Sequence, residues 1–288
     1  MILSRDRRAR SGVHFDFIHA FERKGYPLPG RRPGVVIRIP RESYDRLAAT
    51  IGTVPPVTAT PPRVARALFA PLAPGYERWA GILSMGQDRR WRAHMVQAIA
   101  PRRGDVALDI AAGTGSITRL LQQEGATVTS LDQSTQMLGT AVDRGATGVL
   151  GSAEWLPFAD ARFDLVTFGY LLRYVGDVGD CMTEITRVLR PGGRVGMVEF
   201  GRPRGLWRPL WWLYTRIGLP VAGLFAGREW YRVGRFLGPS IDDFVDHYPA
   251  ARLVASWEEA GLVDVHLARL SLGGGLVMWG RRPDGDET

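Results

Sequence analysis

The chain contains very little cysteine and lysine. Cys181 is the only cysteine among 288 residues, so no disulfide can form within the chain and a zinc site built from several cysteines is excluded. Lys24 is the only lysine, so nearly all of the 37 basic residues are arginines. The lack of disulfides is typical of proteins from a reducing compartment, and we expect a cytoplasmic protein without a metal centre.

The chain also lacks a long hydrophobic run. Its most apolar segment, residues 206–227, is interrupted by two arginines and two prolines, which argues against a membrane-spanning helix. Residues 1–12 carry charges in place of the apolar stretch of a secretory signal peptide. With 45% hydrophobic and 23% charged residues, the composition is that of an ordinary globular protein.

The positive charge is concentrated in the first quarter of the chain. Residues 1–70 hold 13 basic and 5 acidic residues, whereas the basic and acidic residues of the rest cancel. We divide the chain into a basic extension with a proline-rich linker at 1–62, a folded body at 63–282 and a tail at 283–288. The extension is either a solvated, partly disordered tail or an arm that binds anionic lipid or nucleic acid. Because the body is neutral, we do not expect nucleic acid as a partner.

Apolar stretches of strand and helix length alternate along the body. This alternation predicts βαβ units and therefore a doubly wound, Rossmann-like α/β fold with a mainly parallel, seven-stranded sheet. The last two strands follow each other across Gly273 and Gly274, so we expect a hairpin and an antiparallel last strand. Pro191, Gly192 and Gly193 are predicted to separate a helix from the next strand. The predicted strands are 105–110, 127–131, 147–151, 162–168, 193–199, 262–270 and 274–281. The predicted helices are 116–124, 134–143, 179–190 and 250–260, and the segments VARALFAPLAPGYERWAGILSM and DRRWRAHMVQAIA are predicted to be helical before the first strand.

Two acidic residues flank a glycine turn at the edge of this sheet. The first strand ends on Asp109 and turns through Gly113 and Gly115 into a helix, and the next strand ends on Asp132. Ligands of parallel sheets bind outside the carboxyl ends of the strands. An acidic residue after the second strand can accept hydrogen bonds from ribose hydroxyls, so we expect a ligand that carries a nucleoside.

The glycine turn favours S-adenosyl-L-methionine over a dinucleotide as that ligand. A dinucleotide site needs a third glycine, and Thr118 stands at its position. Asp109, directly before the turn, would repel a pyrophosphate but suits the ammonium group of methionine. Met137 either packs on the adenine ring or belongs to the core. We expect cofactor contacts from Asp109, Ala111, Gly113, Thr114, Gly115, Asp132, Gln133 and Met137.

Four sequence blocks occur in order along the body. They are YERWAGILSMGQDRRWR, LDIAAGTG, GSAEWLPFADARFDLVTFGYLLRYV and RVLRPGGRVGMVEFGRP. Together they resemble the class I methyltransferases of the ubiquinone/menaquinone biosynthesis C-methyltransferase family, which has an alanine, here Ala111, where most class I enzymes have glycine. The resemblance covers residues 64–282 and implies the class I methyltransferase fold, with S-adenosylmethionine as the methyl donor.

The resemblance also implies an acceptor and roles for further residues. The acceptor would be a polyprenylated quinol that is methylated at a ring carbon. Demethylmenaquinol is the first candidate. Tyr76 matches a helical cap over the cofactor, and Ser152–Ala153 match an adenine contact, although the family often has an acidic residue or asparagine there. Arg173 matches an arginine that positions a water or the ring hydroxyl for deprotonation, whereas Tyr174 replaces the asparagine of the family. We expect Tyr170, Arg173 and Tyr174 to be catalytic.

The chemistry needs a proton acceptor that the sequence does not identify. A quinol ring carbon becomes nucleophilic when the adjacent hydroxyl loses its proton, and it then attacks the sulfonium methyl group in line. Arg173 can stabilise the phenolate, but an arginine stays protonated and cannot serve as the base. A water or a histidine such as His94 then has to accept the proton.

The apolar segment after the fifth parallel strand is predicted to form a lid at 205–238. Its aromatic residues Trp207, Trp211, Trp212 and Tyr214 suit the headgroup boundary of a membrane. In the resembling family the insertion at this place covers a lipid-tailed quinone. We therefore predict a lid over an isoprenoid channel that rests on the membrane surface, at the inner face of the cell membrane. The alternative is a buried pair of structural helices.

Two other functions stay open at this stage. Ser152 and Tyr174 differ from the family pattern. These differences fit a methyltransferase that methylates an oxygen or nitrogen atom of another apolar small molecule. The third hypothesis is a non-catalytic protein that binds S-adenosylmethionine, or an RNA methyltransferase that uses the basic arm. The neutral body and the sequence FGYL, which stands where an amine-methylating motif such as N-P-P-Y would be, argue against RNA. The sequence is compatible with a homodimer.

Overall fold

The computed structural model describes residues 16–17, 37–38, 67–73 and 75–285. Strand β1 (Asp16–Phe17) pairs in antiparallel fashion with strand β2 (Ile37–Arg38). The other residues of the predicted extension and linker lie outside the described residues, as do the last three residues of the predicted tail.

A mixed sheet of seven strands forms the centre of the body. Its strands are β3 (Val106–Ile110), β4 (Thr127–Asp132), β5 (Thr147–Leu150), β6 (Phe163–Gly169), β7 (Leu189–Phe200), β8 (Val263–Leu270) and β9 (Gly275–Arg281). Their order is β5-β4-β3-β6-β7-β9-β8. Strands β3 to β7 run parallel, and β9 runs antiparallel between β7 and β8. The predicted sheet and its antiparallel last strand are confirmed.

Helices cover both faces of the sheet. They are α1 (Tyr76–Leu83), α2 (Gln87–Ile99), α3 (Ser116–Gln123), α4 (Thr135–Asp143), α5 (Val178–Val188) and, near the end, Ala250–Glu259. Helices α4 and α5 begin where Ser134 and Asp177 accept a hydrogen bond from the backbone N–H three residues on. One core cluster contains Phe168 and Trp257, and another contains Trp91 and Met95 of α2.

Strand β7 begins earlier than the sequence indicates. Helix α5 ends at Val188, and Leu189 already pairs with Phe163 of β6. The register then shifts, so that Arg194 is the next residue of β7 to pair, opposite Leu165. The residues 191–193 lie in this irregular stretch, because proline has no N–H for the ladder and Gly192 adopts a φ of +70°. They form a bulge within the strand and not a helix stop.

A helical layer follows β7. It consists of a 3-10 turn (Gly205–Trp207), α6 (Arg208–Leu213), a π-helical turn (Tyr214–Gly218), α7 (Leu219–Ala226) and α8 (Arg228–His247). Nine of the thirteen exposed large hydrophobic side chains in the described part of the chain lie here. We call these nine the apolar ridge: Leu206, Trp207, Leu210, Trp212, Leu213, Ile217, Val221, Leu224 and Phe225. Within the described ranges, no helix has the length and hydrophobicity needed to cross a membrane.

Candidate active site

The glycine turn after β3 lines a cavity at the carboxyl edge of the sheet, which we call the glycine-turn cavity. Ala111, Gly113 and Gly115 have φ angles of +53°, +58° and +82°. A Cβ on Gly115 would lie 3.1 Å from the Cβ of Ala141, so the packing of α4 favours glycine at this position. A Cβ on Gly113 would meet no protein atom closer than 4.0 Å. The space beside Gly113 is therefore open to a ligand that approaches the backbone.

Asp132, at the end of β4, lines the same cavity. One of its carboxylate oxygens accepts a hydrogen bond from the Gly113 N–H at 2.8 Å, and the other accepts one from the Ser134 N–H at 2.7 Å. Burial raises the pKa of Asp132, and these N–H groups act in the opposite direction. The carboxylate joins the glycine turn to the start of α4, and its remaining lone pairs can accept further hydrogen bonds.

Asp109 lies behind the turn and not on the cavity wall. Its side chain is fully buried; one oxygen accepts from the backbone N–H and hydroxyl of Thr118, at 3.0 and 2.7 Å, and the other accepts from the Thr167 hydroxyl at 3.0 Å. Burial raises the pKa of Asp109 to about 6. The predicted contact of Asp109 with a ligand ammonium stays a prediction, because in the structure its carboxylate oxygens accept hydrogen bonds from Thr118 and Thr167. The carboxylate fixes α3 and β6 behind the turn.

The predicted adenine-side residues lie together. Met137 is only 5% exposed and lines the glycine-turn cavity, so it belongs to the cavity wall as well as to the core. Ser152 and Ala153 line an adjoining cleft whose wall also contains Asp132 and Gln133. The cleft therefore extends the cavity from the end of β4 towards the end of β5.

Glu77, which sequence reasoning missed, connects α1 to the glycine turn. Its Oε1 accepts hydrogen bonds from the hydroxyls of Thr114 and Ser116, both at 3.0 Å, and pairs with Arg119 and Arg144 at 2.8 and 2.6 Å. Burial tends to raise the pKa of Glu77, but the hydrogen bonds from Arg119 and Thr114 and the two positive charges lower it. Thr114 thus holds α1 in place while lining the cavity.

Tyr76 lies between the glycine-turn cavity and a second, mostly apolar cavity, which we call the aromatic chamber. Its ring stacks on Trp230 of α8 at 5.7 Å and meets Phe69 edge-on at 6.5 Å. Burial raises the pKa of Tyr76 to about 12, so its hydroxyl stays protonated. The role of Tyr76 as a cap over the cofactor stays a prediction. Other residues that line the chamber are Asp88, Tyr170, Arg173, Phe200 and Trp211.

Arg173 supplies a buried positive charge to the aromatic chamber. Its Nε donates to Oε1 of Glu199 at 2.9 Å, and neither side chain is more than 1% exposed. The guanidinium carbon lies 5.3 Å from the ring centroid of Phe200. Burial tends to lower the pKa of Arg173, but the charge of Glu199 raises it, so the guanidinium stays charged. Sequence reasoning gave Glu199 no role, although it lies in the block RVLRPGGRVGMVEFGRP.

Glu199 carries an unsatisfied oxygen. Its Oε1 accepts from Arg173 and from the Phe200 N–H, the latter at 2.8 Å. Its Oε2 is buried and has no hydrogen-bond partner among the described residues. Burial raises the pKa of Glu199, and Arg173 acts in the opposite direction. The positive charge of Arg173 therefore compensates the cost of burying the carboxylate of Glu199.

A cluster of Asp88, Arg92 and Tyr170 lies where the two cavities meet. Oδ1 of Asp88 accepts from the Tyr170 hydroxyl at 2.5 Å and from Nε of Arg92 at 2.8 Å. Tyr170 has a φ of +57° and stacks on Phe200 at 4.6 Å; burial and the charge of Asp88 raise its pKa well above 10. Tyr170 lines both cavities, Arg92 the first and Asp88 the second. Asp88 and Arg92 stand in the block YERWAGILSMGQDRRWR, but the sequence did not indicate their roles.

Two predicted participants, Tyr174 and His94, do not line the aromatic chamber. Tyr174 lines the glycine-turn cavity and its adjoining cleft, and its ring stacks 6.3 Å from Phe236. The guanidinium carbon of Arg173 lies 5.0 Å from the ring centroid of Tyr174, although only Arg173 lines the aromatic chamber. His94 packs edge-on against Trp279 at 6.3 Å and lines neither cavity. The structure therefore groups Tyr174 with the cofactor-side residues and leaves His94 outside the site.

The aromatic chamber adjoins a groove of about 370 Å³, which we call the outer groove. The two share Ser84, Phe200, Trp211 and Tyr214 as lining residues. Trp207 and Leu210 line the groove and also belong to the apolar ridge. Three adjoining spaces thus lie in a row between the glycine turn and the exposed apolar surface.

A model of the ubiE/COQ5 methyltransferase family matches residues 59–281 of this chain. The Ubiquinone/menaquinone biosynthesis C-methyltransferase UbiE of Desulfotalea psychrophila is 35% identical over 221 residues, which cover 74% of this chain and 88% of that protein. The Demethylmenaquinone methyltransferase of Thermobifida fusca is 36% identical over 226 residues, which cover 72% of this chain and 94% of that protein.

A solved structure has the same fold. The crystal structure of a SAM-dependent methyltransferase from Thermotoga maritima matches with a TM-score of 0.52 and covers 75% of this chain and 99% of that one. The two sequences are 18% identical, so this likeness concerns the fold alone. It confirms the class I methyltransferase architecture predicted from the sequence.

Proposed function

Because this chain belongs to the ubiE/COQ5 methyltransferase family, we propose that it methylates a ring carbon of a polyprenylated quinol, demethylmenaquinol first among them. The family resemblance seen in the sequence is confirmed, and the chain is a methyltransferase with S-adenosylmethionine as its methyl donor. The names of the curated relatives support the acceptor. The structural observation that carries the proposal is the row of spaces from the glycine turn to the apolar ridge.

The residues of the glycine-turn cavity fit S-adenosylmethionine. The open space beside Gly113 leaves room for the methionine part, and the carboxylate of Asp132 has acceptor capacity for two ribose hydroxyls. Met137 offers a polarisable surface to the adenine ring, and the cleft at Ser152 has a hydroxyl for its polar edge. When bound, the cofactor supplies an electrophilic methyl group. Tyr76 covers the cofactor and also lines the aromatic chamber, where the acceptor would bind.

The aromatic chamber suits a flat quinol ring. The charged Arg173 stabilises the negative charge that develops on the ring oxygen, and Glu199 holds the guanidinium in place beforehand. The aromatic walls around Phe200 and Tyr76 exclude water and orient the ring at the boundary of the two cavities. Alignment of two reactants can contribute ~7–11 kcal/mol to the lowering of a reaction barrier.

The lid at 205–238 covers the isoprenoid tail and rests on an anionic membrane surface at the inner face of the cell membrane. The outer groove ends at the apolar ridge, so a tail that follows the groove reaches the acyl chains directly. Residues 201–240 contain seven arginines and one acidic residue, Glu229. The exposed Arg208 directly follows the ridge residue Trp207, and the exposed Arg228 comes shortly after Phe225. Basic residues next to exposed tryptophans favour binding to anionic lipid headgroups.

The acceptor is tested with reduced demethylmenaquinone, labelled S-adenosylmethionine and the purified chain. We expect label in a product one methyl group heavier, and a strain that lacks the gene should accumulate the quinone that is one methyl group lighter. An unchanged quinone profile in that strain, together with tight binding of S-adenosylhomocysteine by the purified chain, would point to another apolar acceptor methylated at oxygen or nitrogen.

The lid is tested with the double variant Trp212→Ser/Phe225→Ser. Both side chains lie on the apolar ridge, 54% and 83% exposed, and burying an apolar side chain contributes roughly 1.5–3 kcal/mol. We expect the affinity for anionic vesicles in a sedimentation assay to fall about 30-fold or more. Turnover of a long-tailed quinol should fall with it, whereas turnover of a short-tailed analogue should not.

Vesicles of neutral lipid are the control for the contribution of the arginines to membrane binding. The wild type should bind these vesicles more weakly than anionic ones. Unchanged binding to anionic vesicles and unchanged turnover of the long-tailed quinol would contradict the membrane-resting lid. If the double variant converts a dimer into a monomer in light scattering while vesicle binding stays the same, the ridge is instead an interface between two copies of the chain.

A further inference from the structure

Asp88 is an acidic residue on the wall of the aromatic chamber that the proposed function leaves without a role. It lies in the first turn of α2, and its side chain is 18% exposed. The hydrogen bonds from Tyr170 and Arg92 both end on Oδ1. The carboxylate is therefore fixed through one oxygen, and Oδ2 is the oxygen left to meet a ligand.

We propose that Asp88 accepts the proton from the ring hydroxyl of the acceptor, an inference that rests on the proposed quinol substrate. A phenol-like hydroxyl ionises near pH ~10, so the ring needs a base at neutral pH. Asp88 would then be a catalytic residue. Arg92 and Tyr170, which hold its carboxylate, would be positioning residues.

The other groups around the chamber are poorly suited to this task. Glu199 is fully buried, and its Oε1 is occupied by Arg173 and by a backbone N–H. Glu199 also does not line the chamber, whereas Asp88 does. Tyr76 and Tyr170 have raised pKa values and stay protonated, so they can donate hydrogen bonds but cannot take up a proton.

The proposed step balances in protons and electrons. The hydroxyl proton moves to Asp88, and the electron density of the phenolate makes the adjacent ring carbon nucleophilic. That carbon forms its bond to the methyl group as the bond from the methyl group to sulfur breaks, with the electron pair staying on sulfur. The methylated carbon then loses its own proton, the ring oxygen regains one, and aromaticity returns. One proton per turnover leaves through Asp88, whose partial exposure lets it pass the proton to water.

The charged and titratable groups near Asp88 come from several elements. Arg92 belongs to the same helix, Tyr170 and Arg173 follow β6, and Tyr76 begins α1. Tyr214 of the π-helical turn also lines the chamber, and burial raises its pKa to about 12, so its hydroxyl stays protonated. Arg92 pairs with Asp88 at 2.8 Å before the proton arrives and stays charged afterwards. Arg173 lies on the same chamber wall with its charge balanced by Glu199, so it can face the phenolate without displacing Asp88.

The test is the variant Asp88→Asn, because its carbonyl oxygen can still accept from Arg92 and Tyr170. We expect turnover of reduced demethylmenaquinone at pH 7 to fall about 100-fold, the usual contribution of a general base. The affinity for S-adenosylhomocysteine, measured by calorimetry, and the melting temperature should stay close to the wild type. The matched control is Asp143→Asn, on the exposed end of α4, which should leave all three measurements unchanged.

The pH dependence separates a base from a structural group. Turnover by Asp88→Asn should rise about tenfold per pH unit between pH ~7 and ~9, as the free quinol ionises on its own, while the wild-type rate stays level. Turnover within about threefold of the wild type at pH 7, or a loss that is the same at all these pH values, would overturn the inference and leave the proposed function standing. Wild-type protein that methylates no quinol would overturn both.

Discussion

Replacement of Arg173 by methionine is expected to lower the free energy of unfolding by about 3–5 kcal/mol and to reduce turnover about 1000-fold. Both side chains of the Arg173–Glu199 pair are buried, and Oε2 of Glu199 has no hydrogen-bond partner among the described residues. Methionine fills much of the space of the arginine stem but leaves the carboxylate of Glu199 without its counter-charge. The reaction would also lose the cation that faces the developing phenolate.

The measurement is urea unfolding of the wild type, Arg173→Met and Arg173→Met/Glu199→Leu, with turnover of each. The double variant buries no charge, so most of the lost stability should return while turnover stays low. Equal stability of the wild type and Arg173→Met would contradict the argument, and so would recovery of activity in the double variant.

The stability loss in Arg173→Met should also depend on pH. Burial already raises the pKa of Glu199, and removal of Arg173 raises it further. A carboxyl group whose folded-state pKa lies above its unfolded value destabilises the fold as pH rises above the unfolded pKa. The deficit of Arg173→Met should therefore shrink as the pH is lowered from about 8 to about 5. A deficit that does not change over this range would mean that lost packing, and not the unpaired charge, causes it.

Replacement of Asp132 by alanine is expected to weaken binding of S-adenosylhomocysteine by about 1000-fold. The carboxylate receives the N–H groups of Gly113 and Ser134 and, as proposed, the ribose hydroxyls. Loss of hydrogen bonds to a charged group costs about 1.5–3 kcal/mol each, and the N–H groups left behind would destabilise the turn. Isothermal titration calorimetry measures the change directly.

The control for Asp132→Ala is Asp143→Ala, at the other end of the following helix, which should bind as the wild type does. Asp132→Asn keeps one acceptor oxygen and should lose less affinity than Asp132→Ala. Because burial raises the pKa of Asp132, wild-type affinity should fall as the pH is lowered and the carboxylate becomes protonated. Binding of Asp132→Ala within about tenfold of the wild type would show that this residue does not hold the ribose.

The sheet could be predicted because each element has a local signature. Buried parallel strands are short continuous apolar runs, as in Val106–Ile110, and the predicted bounds differ from the structure by only one or two residues at most ends. Strand β7 is the exception. Proline followed by two glycines normally interrupts regular structure, but here the pairing of Leu189 with Phe163 continues the strand before the bulge.

The candidate site could be predicted only in part, since sequence spacing places a residue at the edge of the sheet without orienting its side chain. Asp132 faces the cavity, whereas Asp109, also on a central parallel strand, faces the interior and Thr118. Arg173 and Tyr174 are adjacent in sequence, yet they line different cavities. The i,i+4 pairing of Asp88 with Arg92 is visible in the sequence but does not mark a site. The contacts that place Asp88 and Glu199, with Tyr170 and Arg173, span 82 and 26 residues.

The amino-acid sequence by itself determined the alternating fold, the glycine turn and the family, because periodicity, positive-φ glycines and block order are local properties of the chain. The tertiary structure alone decided which carboxylates are buried behind the turn, which one lines the chamber, and how the helical layer joins the chamber to the surface. These features depend on contacts between segments far apart in sequence, and burial and hydrogen bonding there set the charge and direction of each side chain.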